Sequence, residues 1–389
     1  MNEFSKEMAM KIIHTGPPMG PSYGGPFQSV RRLAQQQVGL GADVAMRMPW
    51  GDEAAAHKGD WAPVEVSVSG KVLLPMLTWS PEFRRELCAH EADILHSHGL
   101  WQYPSWVSMA WKKKHPGRHH VVSPRGMLQP WAWQHKAWKK RPMWNLVERR
   151  NLESASLLHA TVPEEAAALR ERGLKAPIAI IPNGVDLVGT CEYSPAAGGV
   201  QTALFLSRIH PSKGLDLLLR AWAKVRPSNW QLHIAGPDEI GHLAELKKLA
   251  GSLGIAEHVR FSGVLRGDDK TSAFKQCDLF ILPTHSENFG IVVAEALAHS
   301  RPVITTHGAP WKLLQTHDCG WWVPTNVCGI SSALDDAISR PREQLVQMGQ
   351  RGRLLVESQF NWPSIAAKMI DCYSWVRGEG EKPSCIQID

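Results

Sequence analysis

The sequence predicts an α/β protein built from two Rossmann-like, doubly wound parallel-sheet domains. Short apolar runs alternate with longer amphipathic stretches along the whole chain, the rhythm of strand–helix–strand units. Several runs end in loops rich in glycine and proline, the usual ligand edge of such sheets. The length of 389 residues allows two domains with a sizeable core in each.

Taken in order, the first strand is expected over 12–15, followed by the loop GPPMGPSYGGPFQ and a helix over 27–38. Gly24 and Gly25 let main-chain amides approach a phosphate or sugar, although glycine-rich turns are equally common without a ligand. Further strands are expected over 42–48, 93–97, 119–123, 157–162 and 178–182, with helices over 104–115, 131–155 and 164–172. His96, Ser97 and His98 end one strand and Pro124-Arg125-Gly126 follows another, both at the ligand edge. Read as pointing to opposite faces of their strand, and without a carboxylate partner, His96 and His98 make a poor metal pair.

Charge is unevenly placed. Residues 1–182 carry 23 Lys+Arg against 16 Asp+Glu, whereas 183–389 carry 20 against 21. Within 111–150 there are 11 basic residues, one acidic residue and five tryptophans. Interleaved aromatic and basic residues suit single-stranded nucleic acid, the headgroup layer of an anionic membrane, or a solvated helix whose tryptophan face packs inward.

Ile181-Pro182-Asn183-Gly184-Val185-Asp186 marks a turn, and the small, glycine-rich stretch 188–200 reads as a linker. The second domain opens with a strand over 203–207, then Arg208-Ile209-His210-Pro211-Ser212-Lys213-Gly214, then a helix over 215–225. Two cations in one strand–helix loop make a metal-free diphosphate clamp, Arg208 as a fork and Lys213 as a point charge; plain surface solvation is the alternative. Strands over 231–235, 259–261 and 278–282 and helices over 243–253 and 270–275 continue the alternation.

Residues 283–306 read as loop, buried helix and strand, with Glu287 in the loop and Glu295 inside the apolar block IVVAEALA. A half-buried carboxylate needs donors, which the vicinal hydroxyls of a ribose or an internal Arg or Lys would supply. Glu287 precedes helix-start amides that favour an anion such as phosphate, and Gly290 lets the backbone come close to a ligand. Helices over 331–338 and 342–358 follow. A last helix starts near 362, and the tail from 378 is expected to lack order.

Glu287-Asn288-Phe289-Gly290 followed by Glu295-Ala296-Leu297 resembles the E-x7-E signature of retaining glycosyltransferases of family 4, which have the GT-B fold. Ile181 to Asp186 is similar to that family's interdomain I-P-N-G-V-D, and Arg208 with Lys213-Gly214 to its R-x(4 or 5)-K-G element. The resemblance covers nearly the whole chain. It implies that Glu287 contacts the donor sugar and that the amides of Asn288, Phe289, Gly290, Ile291 and Val292 hold sugar and phosphate. Glu295 would bind the ribose, Gly24-Gly25 would lie by the donor phosphates and acceptor, and the main chain at Gly263-Val264 would meet the base. Gly236-Pro237-Asp238 is similar to the family's small loop after the corresponding strand.

Many members have a histidine in a T-x-H-G-like context that reaches the transferred sugar, where this chain has S-P-R-G. Arg125, with His98 beside it at the acceptor or sugar side, could clamp donor phosphate or an acidic acceptor, or form a structural ion pair.

The resemblance implies an amino-terminal acceptor domain (1–185), a nucleotide-sugar domain (186–361) and a helix (362–378) crossing back, with the two domains facing each other across a cleft. The reaction implied is retaining transfer from a nucleotide-diphosphate sugar to a saccharide or lipid-linked saccharide, as in exopolysaccharide, lipopolysaccharide or O-antigen assembly. Arg208, Lys213 and Glu287 are the catalytic candidates. The cations and amides stabilise the departing diphosphate, and no Asp-x-Asp pair is present, so no cofactor or divalent metal is expected. Attack from the leaving-group face is favoured over a covalent intermediate. A nucleotide-sugar epimerase of the same fold and a basic nucleic-acid-binding protein are the rival readings, though nucleic acid is not the expected partner. A nicotinamide dehydrogenase lacks its G-x-G-x-x-G after any expected strand.

Seven scattered cysteines without a C-x-x-C pair suit a reducing compartment. The amino terminus shows no signal-peptide core, and no run of about 18 apolar residues exists. Cytoplasmic residence is expected, with contact to the inner membrane face through 111–150.

Overall fold

A computed structural model describes residues 9–134, 137–187, 189 and 199–388. The chain divides into two compact units, 1–184 with 362–389, and 185–361. The expected linker over 188–200 lies largely outside the described residues, as do Cys191 and residues 1–8.

Unit 1 is an eight-stranded sheet. Its strands are β1 (Lys11–Thr15), β2 (Asp43–Pro49), β3 (Glu65–Ser69), β4 (Ile94–His98), β5 (His119–Ser123), β6 (Leu157–Ala160), β7 (Ile178–Ile180) and β14 (Ile386–Gln387), in the order β14-β7-β6-β5-β4-β1-β2-β3. All pairs are parallel except β14 with β7. Ile12, Ile94, Val121 and Leu157 line one buried face, against which the helices Gly25–Gly39 and Trp362–Val376 close. Burial on both faces explains why these strands are nearly continuous apolar runs.

Unit 2 is a six-stranded parallel sheet of β8 (Gln201–Leu206), β9 (Trp230–Ala235), β10 (Val259–Phe261), β11 (Leu279–Leu282), β12 (Val303–Thr306) and β13 (Gly320–Val323), in the order β10-β9-β8-β11-β12-β13. Its core includes Leu204, Phe205, Trp222, Ile234, Phe280, Val293, Leu297 and Ile304, all at most 1% exposed.

Three features differ from the sequence expectation. No strand is expected from sequence at β3 or β13: both are half-covered edges, β3 alternates valine with polar residues, and β13 is only four residues long. The tail beyond 378 is ordered: Ile386 is buried, and the Ile180 amide donates to the Cys385 carbonyl at 2.9 Å. A two-residue strand has no period to detect.

The helix expected over 131–155 is broken into Pro130–Gln134, Ala137–Met143, a π-helical turn Trp144–Glu148 and Arg149–Glu153. Pro142 offers no amide to the helical ladder, and the wide turn follows it. Residues 135–136 lie outside the description. Among the described residues no helix is long and apolar enough to cross a membrane.

Candidate active site

In each sheet the strand order reverses once, between β1 and β4 in unit 1 and between β8 and β11 in unit 2. Loops leaving the carboxyl ends of such a pair turn to opposite faces and leave a crevice, the usual ligand position in this architecture. Most of the candidate residues sit on loops at these two switch points.

In unit 2 the loop after β8 carries Arg208 and Lys213, and the loop after β11 carries Glu287. The His285 amide and the Thr284 hydroxyl both donate to the Ser212 carbonyl, at 2.8 and 3.0 Å, stitching the loops together. Gly214 holds φ 65 at the start of the helix Leu215–Val225, and a Cβ there would stand 2.1 Å from the Pro283 carbonyl oxygen. Only glycine tolerates that approach. The consequence is that Lys213 Nζ meets Glu287 Oε1 in an ion pair whose side chains are 9% and 15% exposed.

Arg208 is open to solvent and meets the equally open Glu239 at 3.5 Å. Such a pair holds weakly, so the guanidinium is free to turn. Burial, then the charges of Arg208 and Lys213, push the His210 imidazole between them in the loop below its ordinary pKa.

Gly290, at φ 75, caps the helix Ile291–Ala298. The amides of Ile291 and Val292 belong to the first turn, whose donors have no intrahelical acceptor and attract an anion. Asn288 is half-buried, whereas the Phe289 ring is buried against Trp311 and Phe360 and its carbonyl accepts from Trp311 Nε1 at 2.5 Å. The Phe289 side chain therefore anchors the loop and leaves only its backbone for a ligand.

Glu295 is half-exposed and bonded to Lys270 Nζ at 2.6 Å. Of the partners expected for this carboxylate, the structure shows the internal cation, Lys270, which carries no signal in the sequence. Val264 is 49% exposed beside Gly263, whose carbonyl accepts from Gly236 at 2.7 Å.

In unit 1 the turn Pro21–Tyr23 ends at Gly24, φ 70, and Gly25 begins the following helix. His96 and His98 require a correction: residues two apart on a strand share a face, and their rings lie 4.2 Å apart. With His14 they form a buried cluster whose ligand-type atoms fall within 4.8 Å. Each of the six ring nitrogens already has a partner, and one of these is the Arg125 guanidinium, whose charge opposes a cation. Among the described residues Arg125 has no ion-pair partner; it donates to His98 and Asn183. A recess of roughly 570 Å³ beside β2 and β3, lined by Arg47, Lys58, Glu65 and Glu86, contains none of the candidates.

The tryptophan-rich segment faces two ways. Trp133 and Trp144 pack together at 5.7 Å with Arg172 stacked 3.8 Å from the Trp133 ring, while Trp131 and Trp138 are 45% and 73% exposed.

Two family profiles match the chain: Glycosyltransferase Family 4 over residues 23–188 and Glycosyl transferases group 1 over 194–355. A GDP-mannose-dependent alpha-(1-6)-phosphatidylinositol monomannoside mannosyltransferase of Mycobacterium tuberculosis is 31% identical over 229 residues, 53% of this chain and 57% of that protein. The chain spans about half the length of the curated relatives it matches. Two solved structures share the fold. Sucrose-phosphate synthase from Thermosynechococcus elongatus has TM-score 0.74 at 20% identity, covering 95% of this chain and 99% of that one. Anabaena HepE in complex with UDP and glucose has TM-score 0.73 at 19% identity, covering 94% and 100%. With two parallel-sheet α/β units of the GT-B kind and matches on both, the chain belongs to the group 1, family 4 glycosyltransferases.

Proposed function

We propose that the protein transfers a sugar, with retention at the anomeric carbon, from a nucleotide-diphosphate sugar held by unit 2 to a saccharide or lipid-linked saccharide held by unit 1. The observation that carries this is the loop pair of unit 2: Lys213 is held against Glu287 at the switch point, Arg208 leads the same loop as Lys213, and Gly290 at the helix start lies against Glu287. As the sugar–phosphate bond breaks, negative charge grows on the diphosphate, and fixed cations and amides lower its energy without a divalent ion. Glu287 then faces sugar hydroxyls, Glu295 the ribose, and the backbone at Val264 the base. The acceptor attacks from the face the diphosphate leaves, and the diphosphate takes its proton.

The relative named for GDP-mannose supports including that donor among the candidates, and the phosphatidylinositol monomannoside in its name supports a lipid-linked acceptor. On this reading the protein works at the inner membrane face, in cell-surface polysaccharide assembly.

Binding of UDP-, GDP- and ADP-sugars, read by thermal shift, tests the donor site; at least one raises the melting temperature. Incubation with the binding donor alone then separates transfer from epimerisation. Release of an isomerised sugar without acceptor, or no response to any nucleotide sugar, would overturn the proposal.

A further inference from the structure

The polar core of unit 1 contains an unbroken line of hydrogen bonds whose direction is determined at both ends. Arg125 Nη2 meets His98 Nδ1 at 3.1 Å, and a guanidinium can only donate. His98 Nδ1 is thus the acceptor, so its Nε2–H donates to His14 Nδ1 at 2.9 Å, and His14 Nε2–H donates to Gln37 Oε1 at 2.7 Å. Gln37 Nε2 donates to the Tyr373 hydroxyl at 3.4 Å, which donates to His96 Nδ1 at 2.6 Å. His96 Nε2–H donates to Ser123 Oγ at 2.6 Å, Ser123 to His159 Nδ1 at 2.7 Å, and His159 Nε2–H to the Ile181 carbonyl at 2.8 Å. A carbonyl can only accept. Burial, with the Arg125 charge nearby, keeps these four rings neutral, so all four are Nε2–H tautomers, and with neutral rings reversing any one link would leave two donors or two acceptors facing each other.

The Arg125 end is unusual. Its hydrogen-bonding partners are neutral, His98 and the Asn183 side-chain oxygen at 3.0 Å, and its buried Nε has no partner among the described residues. The carboxylate acting on it through space is Glu165, both of whose oxygens are taken, by the Gly126 amide at 2.5 Å and by Thr161 at 2.8 and 2.9 Å. Arg125 itself sits at φ 57, a left-handed backbone that a side chain of this size adopts only where its surroundings impose it.

We propose that this one-way chain is a positioning device, and that Arg125, held by it, is a preorganised receptor in unit 1 for a substrate oxyanion, a phosphate or a carboxylate. His98, His14, Gln37, Tyr373, His96, Ser123 and His159 are positioning residues: they orient the guanidinium without neutralising it, so its charge and its spare N–H groups remain for a ligand. Tyr373 lies on the helix Trp362–Val376, which makes that helix a working part of unit 1. That the oxyanion belongs to a sugar-transfer substrate rests on the function proposed above; the chain and the anion site do not.

Nitrogen NMR of the full protein at pH 7.5 tests the chain without any substrate. The expected result is Nε2–H at His14, His96, His98 and His159; Nδ1–H or imidazolium at any of them would overturn it. Titration with inorganic phosphate, and separately with acetate, then follows the Arg125 Nε–H resonance, identified by its loss in Arg125→Lys. A saturable shift with either anion is expected, weakened several-fold in Tyr373→Phe and unaltered in Ser97→Ala, whose hydroxyl meets His120 instead. No shift with either anion, or an unaltered one in Tyr373→Phe, would overturn the anion site. Repeating the titration with saturating UDP or GDP separates the sources: competition assigns the site to the donor diphosphate, and coexistence assigns it to an acidic acceptor. Failure of nucleotide sugars to bind would sink the transferase reading while leaving the tautomer and anion results standing.

Discussion

Lys213 and Glu287, 74 positions apart in sequence, form an ion pair at the switch point of unit 2 with both side chains nearly out of solvent. The two proposed donor-contacting groups thus hold each other in place. Removing one partner strands the other: Lys213→Ala should destabilise unit 2 by about 3 kcal/mol, and adding Glu287→Ala should restore most of that loss. Turnover should stay at least about a hundredfold down in both variants. Urea unfolding and turnover of the three proteins check this, and a double variant no more stable than the single one would contradict the pairing.

Arg208 makes the opposite case. Its guanidinium is exposed and only loosely paired with Glu239, so Arg208→Ala should leave unfolding within about 0.5 kcal/mol of the parent. Turnover should nevertheless fall by about a hundredfold or more, with the larger effect on the chemical step than on KM. Near-normal turnover would remove Arg208 from the mechanism.

Glu295 is bonded to Lys270 through Oε1. If the carboxylate also receives ribose hydroxyls, Glu295→Ala should weaken sugar-nucleotide binding by about tenfold, whereas Lys270→Ala should change it far less. Calorimetric titration with the donor found by thermal shift decides; equal losses in both variants would make the ion pair itself the requirement.

The buried histidines make unit 1 sensitive to acid. Burial pushes His14 down to about 4 and His120 and His159 down to about 3, and holds His96 and His98 well below their ordinary range. Below pH 6.5 the unfolded imidazoles bind protons that the folded ones refuse, so stability is complete above that pH and falls as pH drops toward 4. His14, His120 and His159 each contribute a loss on the order of 2 kcal/mol between pH 7 and pH 5, and His96 and His98 add to it in the same direction. The melting temperature of unit 1 should therefore fall steeply over that interval, and a flat profile would refute the assignment.

Trp131 and Trp138 face solvent in the segment that also exposes Lys139 and Arg141, which is the arrangement expected of a headgroup contact. Cosedimentation with anionic liposomes at low salt should be lost in Trp138→Ala with Lys139→Ala, and retained in Trp106→Ala. A parent protein that stays in the supernatant would end this reading.

Much of the fold was legible because buried parallel strands are apolar runs with little ambiguity: His119–Ser123 and Val259–Phe261 match their expected bounds, and most others fall within one or two residues. The edges were not, since Val66 and Val68 alternate with polar residues and the pair Ile386–Gln387 is too short to show a period. Among site residues, the spacing of Arg208, Lys213 and Glu287 within strand-end loops pointed to one place. Lys270, Gln37 and Tyr373 carried no local signal, because each earns its place only through a neighbour distant in sequence.

Local order is written in the chain itself: hydrophobic period sets strand or helix, and glycine with proline sets where each stops. What lies next to what is another matter, settled by packing. Whether Lys213 meets Glu287 or solvent, which way two histidines on one strand look, and which atoms of Arg125 stay unpaired all depend on side chains brought together from remote segments, and a partner's charge or hydrogen-bonding direction cannot be read until the partner is in place.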